Sequence, residues 1–146
     1  SGDSNYIINL KIKSALKKKL KIIFCIGETL IEKRNNKTNL ILKSQIIRGL
    51  KNVKKNSNII FAYEPVWSIG TGLVPKNNEL LDNIIFIKKF LRKNFKYQNS
   101  RILYGGSVNP NNIKNLKEIY QIDGFLIGGA SQSSNKFIDI IKKTFI

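Results

Sequence analysis

The sequence has no histidine, no methionine and a single cysteine, Cys25, and its 26 Lys and Arg stand against only 9 Asp and Glu. Each shortage removes a class of function. One thiol cannot close an internal disulfide, and it cannot make a structural zinc site, which takes four Cys or His ligands, so no metal is expected. No apolar run reaches the roughly 18 residues of a membrane span, and the first residues lack the apolar core of a signal peptide. A cytoplasmic protein without membrane contact is the expectation. With no Met at its head, the chain is expected to begin inside a longer coding sequence.

What is present describes a folded chain. Its 146 residues are 42% hydrophobic and 10% aromatic, which suits one domain (1–146) or a piece of a larger one and excludes collagen, coiled coil and bulk disorder. The net charge of +17 invites a nucleic-acid reading, since clustered cations release counterions when they meet phosphates. However, 22 Lys, 18 Asn and 25 Ile form a blanket enrichment that looks more like a coding bias than a binding face. The densest run, Lys17 to Lys19, ends a helical pattern, where cations favour the carbonyl pole. No stacking aromatics interleave with the cations, so nucleic acid is not an expected partner.

Hydrophobic periodicity alternates between two kinds of segment. Ile8, Ile12, Ala15 and Leu16 form one helical stripe, with Asp3 or Ser4 as its cap. Further stripes are Leu42, Ile46, Leu50 and Val53; Leu80, Ile84, Ile87 and Leu91; Ile113 and Leu116; and Phe137, Ile138 and Ile141. Between them lie the short apolar runs 22–25, 59–63, 102–104 and 125–127, which read as parallel strands buried on both faces. The order is one helix and then four βα units. It fits a small doubly wound sheet or half of an eight-stranded barrel, and periodicity does not choose between them.

In both architectures function gathers after the C-terminal ends of strands. There stand Ala62-Tyr63-Glu64-Pro65-Val66-Trp67-Ser68-Ile69-Gly70-Thr71-Gly72, then Tyr104-Gly105-Gly106-Ser107-Val108, then Gly128-Gly129-Ala130-Ser131. Glu64 follows an apolar strand and precedes Pro65, which biases it toward an extended backbone at a strand end. A carboxylate there serves as a general base or as a capping or salt-bridged Glu. Trp67 and Ile69, punctuated by Gly70 and Gly72, suit a lid, and a core role for Trp67 stays open. The pairs Gly105-Gly106 and Gly128-Gly129 leave backbone N–H groups free to face an anion, or simply make turns. Two such sites on neighbouring strand ends suggest a phosphorylated substrate.

The strings AYEPVWSIGTG (62–72), YGGSV (104–108), GFLIGGAS (124–131) and CIGE (25–28) together resemble the triosephosphate isomerase family, from about Gly2 to the C-terminus. The resemblance implies the C-terminal half of an α/β fold, the (β/α)8 barrel, with four parallel strands and their helices and without the N-terminal half. It implies a homodimeric, cofactor-free enzyme of glycolysis and gluconeogenesis that interconverts dihydroxyacetone phosphate and glyceraldehyde 3-phosphate. Glu64 becomes the base that moves a proton through an enediolate, and residues 65–72 become a lid that excludes water. Gly70, Ser107, Gly128 and Gly129 hold the phosphate, Tyr104 braces the closed lid, and Cys25 and Glu28 are mainly structural, with a buried thiol.

The chain departs from the family at Ser68, where Ala is usual, at Leu73, where Lys is common, and at Gln132, where Leu is usual. The family's electrophilic His, its substrate-binding Lys and Asn, and its dimer loop belong to the first half of the barrel. These residues alone are therefore expected to be catalytically incomplete, and their open sheet edges to favour self-association. Another phosphate-binding barrel enzyme, or a non-catalytic basic module that binds nucleic acid, are the alternatives.

Overall fold

The computed structural model describes residues 3–145; Gly2, where the resemblance begins, lies outside them. In chain order the elements are α1 (Asn5–Lys17), β1 (Ile22–Ile26), α2 (Leu30–Arg34), α3 (Thr38–Gly49), β2 (Ile59–Tyr63), α4 (Asn77–Phe95), β3 (Ile102–Tyr104), α5 (Ile113–Lys117), β4 (Gly124–Phe125) and α6 (Ser134–Phe145). Short 3-10 turns cover Val66–Ser68 and Gly129–Gln132. The strands form one parallel sheet in the order β1-β2-β3-β4. Sequential parallel strands separated by helices make the arrangement of half a (β/α)8 barrel.

The register sorts side chains into layers. Phe24 pairs with Phe61, and Phe61 with Ile102; one step on, Ile26 pairs with Tyr63 and Tyr63 with Tyr104. All six are buried, and they meet Leu42 and Ile46 of α3 and Leu80, Ile84, Ile87 and Leu91 of α4 in one core cluster. Phe61 anchors it, with its ring centroid 5.9 Å from Phe24 and 5.4 Å edge-on from Tyr97. Each such side chain contributes about 1.5–3 kcal/mol by leaving water. Leu42 and Ile46 of α3 and the whole α4 stripe therefore do what their spacing predicts.

The opposite side of the sheet differs from expectation. Alternation turns Ile23, Cys25, Ile60, Ala62 and Leu103 away from the helices. Ile23 is 46% exposed, Cys25 is exposed, and Ile60 and Leu103 are half-buried, so the strands are not buried on both faces. Ala62 alone of these is buried, between Cys25 and Leu103 on the flanking strands. The buried thiol expected at position 25 is thus corrected: β1 is an edge strand, and no layer covers its inner side among the described residues.

Smaller corrections concern element limits. The cap of α1 is Ser4, whose hydroxyl accepts the Ile7 N–H at 3.3 Å, while Asp3 pairs with Lys11. Helix α3 ends at Gly49, so Leu50 and Val53 pack from the turn beyond it. The fourth strand covers only Gly124–Phe125, not 125–127, although the Leu126 N–H still reaches the Tyr104 carbonyl at 2.9 Å. In α6 the expected stripe of Phe137, Ile138 and Ile141 is exposed, and Ile140 is the buried residue. Among the described residues that helix packs on α5 and on the Gly129–Gln132 turn, which leaves the wider face uncovered.

Candidate active site

The segment expected to act as a lid, 65–72, begins where β2 ends. Glu64 donates its N–H to the Ile26 carbonyl at 2.8 Å, and the Val66 N–H reaches the Glu28 carbonyl at 2.9 Å, so two strand ends fix the base of the segment. Val66–Ser68 then make a 3-10 turn, and Gly70 (φ +70°) and Gly72 (φ +79°) carry the chain back through the left-handed region. Val66, Ile69 and Leu73 remain exposed along it.

Beneath the turn lies a buried polar network. The Glu28 carboxylate is fully buried and accepts the Trp67 indole N–H at 2.9 Å and the Tyr63 hydroxyl at 3.1 Å. Asn83 of α4 donates to that hydroxyl at 2.9 Å. Burial, reinforced by the Glu28 charge, pushes the Tyr63 hydroxyl well above its ordinary range, so it stays a donor. Lys33 of α2 lies 4.5 Å from the centroid of the Trp67 ring and pairs with Glu79 of α4. Burial lowers the Lys33 pKa. Trp67 is thereby held from the polar end and from the ring face.

A second network joins the lid to β3. The Ser68 hydroxyl donates to the Leu73 carbonyl at 2.6 Å and accepts the Ser107 N–H at 3.1 Å. It also lies 3.1 Å from the Tyr104 hydroxyl, which donates to it because the single Ser68 proton is already committed. A Cβ at Gly106 would stand 2.2 Å from the Tyr104 hydroxyl oxygen, and one at Gly105 would stand 2.6 Å from the Glu64 carboxylate. The paired glycines make room for both groups. Burial raises the Tyr104 pKa.

Glu64 sits half-buried at the mouth of a cavity of about 680 Å³. The same cavity is lined by Gly70, Ser107, Gly128 and Gly129, so all five residues singled out in the sequence come together in it. Of the four candidate anion donors, only Ser107 has its N–H engaged among the described residues. Gly128 and Gly129 face open space, and Lys136 of α6 adds a cation to the wall. Cys25 neighbours Glu64 on the inner side of the sheet. Partial burial of its sulfur, and then the Glu64 carboxylate, push the thiol up to about 12 although the residue is exposed overall. The arrangement offers one carboxylate and a set of backbone donors within one cavity, which suits proton transfer on an anionic substrate. No cluster of three or more His, Cys, Asp or Glu able to hold a metal occurs among the described residues.

Three supporting elements were not read from the sequence. Helix α2 opens with a capping box, in which the Thr29 hydroxyl accepts the Glu32 N–H while the Glu32 carboxylate accepts the Thr29 N–H; the Thr-x-x-Glu spacing was its available signal. Asn83 interrupts the apolar stripe of α4, and such a polar residue in a buried stripe signals an internal partner. Gln45 of α3 clamps both backbone groups of Gly27 at 2.9 Å, with no sequence signal beyond its position beside that stripe.

Comparison with known proteins agrees with this geometry. The family model described as Triosephosphate isomerase matches residues 1–144. A protein of Thermodesulfovibrio yellowstonii named Triosephosphate isomerase is 44% identical over 142 residues, covering 96% of this chain and 58% of the relative. Proteins of the same name from Leptospira interrogans and Geotalea uraniireducens are 42% and 41% identical, over 95% and 97% of the chain, and each is again covered over 58% of its length. The chain therefore spans less than two thirds of these curated relatives. A sheet of four parallel strands, one cavity at its C-terminal rim and a family match along nearly its whole length together show that the chain belongs to the triosephosphate isomerase family.

Proposed function

We propose that the whole protein containing this chain is a triosephosphate isomerase, interconverting dihydroxyacetone phosphate and glyceraldehyde 3-phosphate in the cytoplasm as a homodimer. The observation that carries this reading is that Glu64 and the backbone donors at Gly70, Ser107, Gly128 and Gly129 share one cavity. Phosphate held by those N–H groups fixes the triose with its reacting carbons toward Glu64. Glu64 takes a proton from one carbon and returns it to the neighbouring carbon of the enediolate. The lid, stapled at Trp67 and Ser68, excludes water from that intermediate.

The negative charge that develops on the carbonyl oxygen also needs a donor. This chain carries no histidine, so these 146 residues supply the base and the phosphate site without an imidazole electrophile. Isomerase turnover by the whole protein should fall roughly 10²–10⁴-fold on Glu64→Gln, the range for removal of a general base. Unchanged turnover in that variant contradicts the assignment. The 146-residue chain alone should show negligible turnover in the same assay.

A further inference from the structure

We propose that Ser68 is a positioning residue that sets the anion affinity of this site, its hydroxyl holding the Ser107 N–H that phosphate must take. The inference rests on the reading of Ser107, Gly70, Gly128 and Gly129 as phosphate donors.

The Ser68 oxygen is fully buried and makes three contacts at once: to the Leu73 carbonyl, to the Tyr104 hydroxyl and to the Ser107 N–H, at 2.6, 3.1 and 3.1 Å. One proton and two lone pairs account for all three, so the group has no spare capacity. Its bond to Leu73 closes the lid segment on itself, and its bonds to Tyr104 and Ser107 dock that closed loop on the end of β3. An Ala at this position would offer none of them. Phosphate reaching for Ser107 therefore competes with a well-placed neutral acceptor, whereas Gly70, Gly128 and Gly129 present N–H groups without a partner among the described residues. When the anion wins, Ser68 keeps its bonds to Leu73 and Tyr104 and loses the one to Ser107, so its hold on the end of β3 is weakened. Anion binding and lid docking are thus coupled through one oxygen.

The test is Ser68→Ala in the whole protein, with inorganic phosphate as the probe. Removing the competitor should tighten phosphate binding by about 2–10-fold, the worth of one net hydrogen bond, while lowering the unfolding temperature. Opposite signs in the two readouts are what a merely structural role does not produce: loss of packing alone weakens both. Equal or weaker phosphate binding in the variant overturns the inference. The unmodified protein gives an independent reading that needs no variant. In a phosphate titration followed by amide resonances, Ser107 should move together with Gly128 and Gly129. If the glycines move and Ser107 does not, phosphate binds without displacing Ser68, and the inference fails while the site reading stands. If none of Gly70, Gly128 and Gly129 moves, the phosphate site itself is wrong and the inference falls with it.

Discussion

The two sides of the sheet are built by the same strands and behave differently. On the helix side, Phe24, Ile26, Phe61, Tyr63, Ile102 and Tyr104 are buried in register against α3 and α4. On the other side, Ile23 and Cys25 meet solvent, and polar chemistry begins one step further on at Glu64 and Gly105. Folding free energy is thus concentrated on one side, and the other is left for binding and for whatever completes the layer. A period of two residues along each strand is enough to separate the two tasks.

That contrast can be broken by substitution on either side. Phe61→Ala should cost the most, about 3–5 kcal/mol, because it opens a cavity between Phe24 and Tyr97 that the layers cannot collapse into. Urea unfolding measures it, and a loss below about 1 kcal/mol would mean that the helix side does not carry the stability. Glu28→Ala should follow at about 2–4 kcal/mol, since the buried Tyr63 and half-buried Trp67 donors lose their acceptor. It should also red-shift Trp67 fluorescence as the lid base loosens.

On the inner side, Cys25 should be accessible yet slow. A thiol raised to about 12 from 9 carries roughly a thousandfold less thiolate at pH 8, and its higher intrinsic nucleophilicity returns about 20-fold. Alkylation by iodoacetamide should therefore run about 50-fold slower than for a free thiol and speed up in Glu64→Gln. The same shift has a stability consequence. The folded thiol stays protonated where the unfolded one ionises, so its contribution is complete below pH 9 and is lost as pH rises from 9 toward 12. Ile23→Ala, at an edge already 46% exposed, should cost least, under about 1 kcal/mol.

The sequence was legible where period and burial agree. The α4 stripe, Leu42 and Ile46 of α3 and the limits of the runs 59–63 and 102–104 matched the structure because each packs against something on the helix side of the sheet. Cys25 and the α6 stripe of Phe137, Ile138 and Ile141 did not, because apolar spacing reports that a face is suited to burial and not that a layer covers it. The gathering of Glu64, Gly70, Ser107, Gly128 and Gly129 was legible because strand C-terminal ends of a parallel sheet share a rim. The Ser68 contacts were not legible. They depend on a segment that folds back so that Ser68 meets Leu73, Tyr104 and Ser107 at once, and a lone Ser in a sequence names no partner.

The central claim is that Glu64 moves a carbon-bound proton on a substrate held by phosphate. The direct measurement is solvent-deuterium exchange into dihydroxyacetone phosphate by the whole protein in D2O, with Glu64→Gln alongside. The account predicts exchange at the carbon beside the carbonyl, slowed roughly 10²–10⁴-fold in the variant. Exchange at the same rate in both proteins would contradict it.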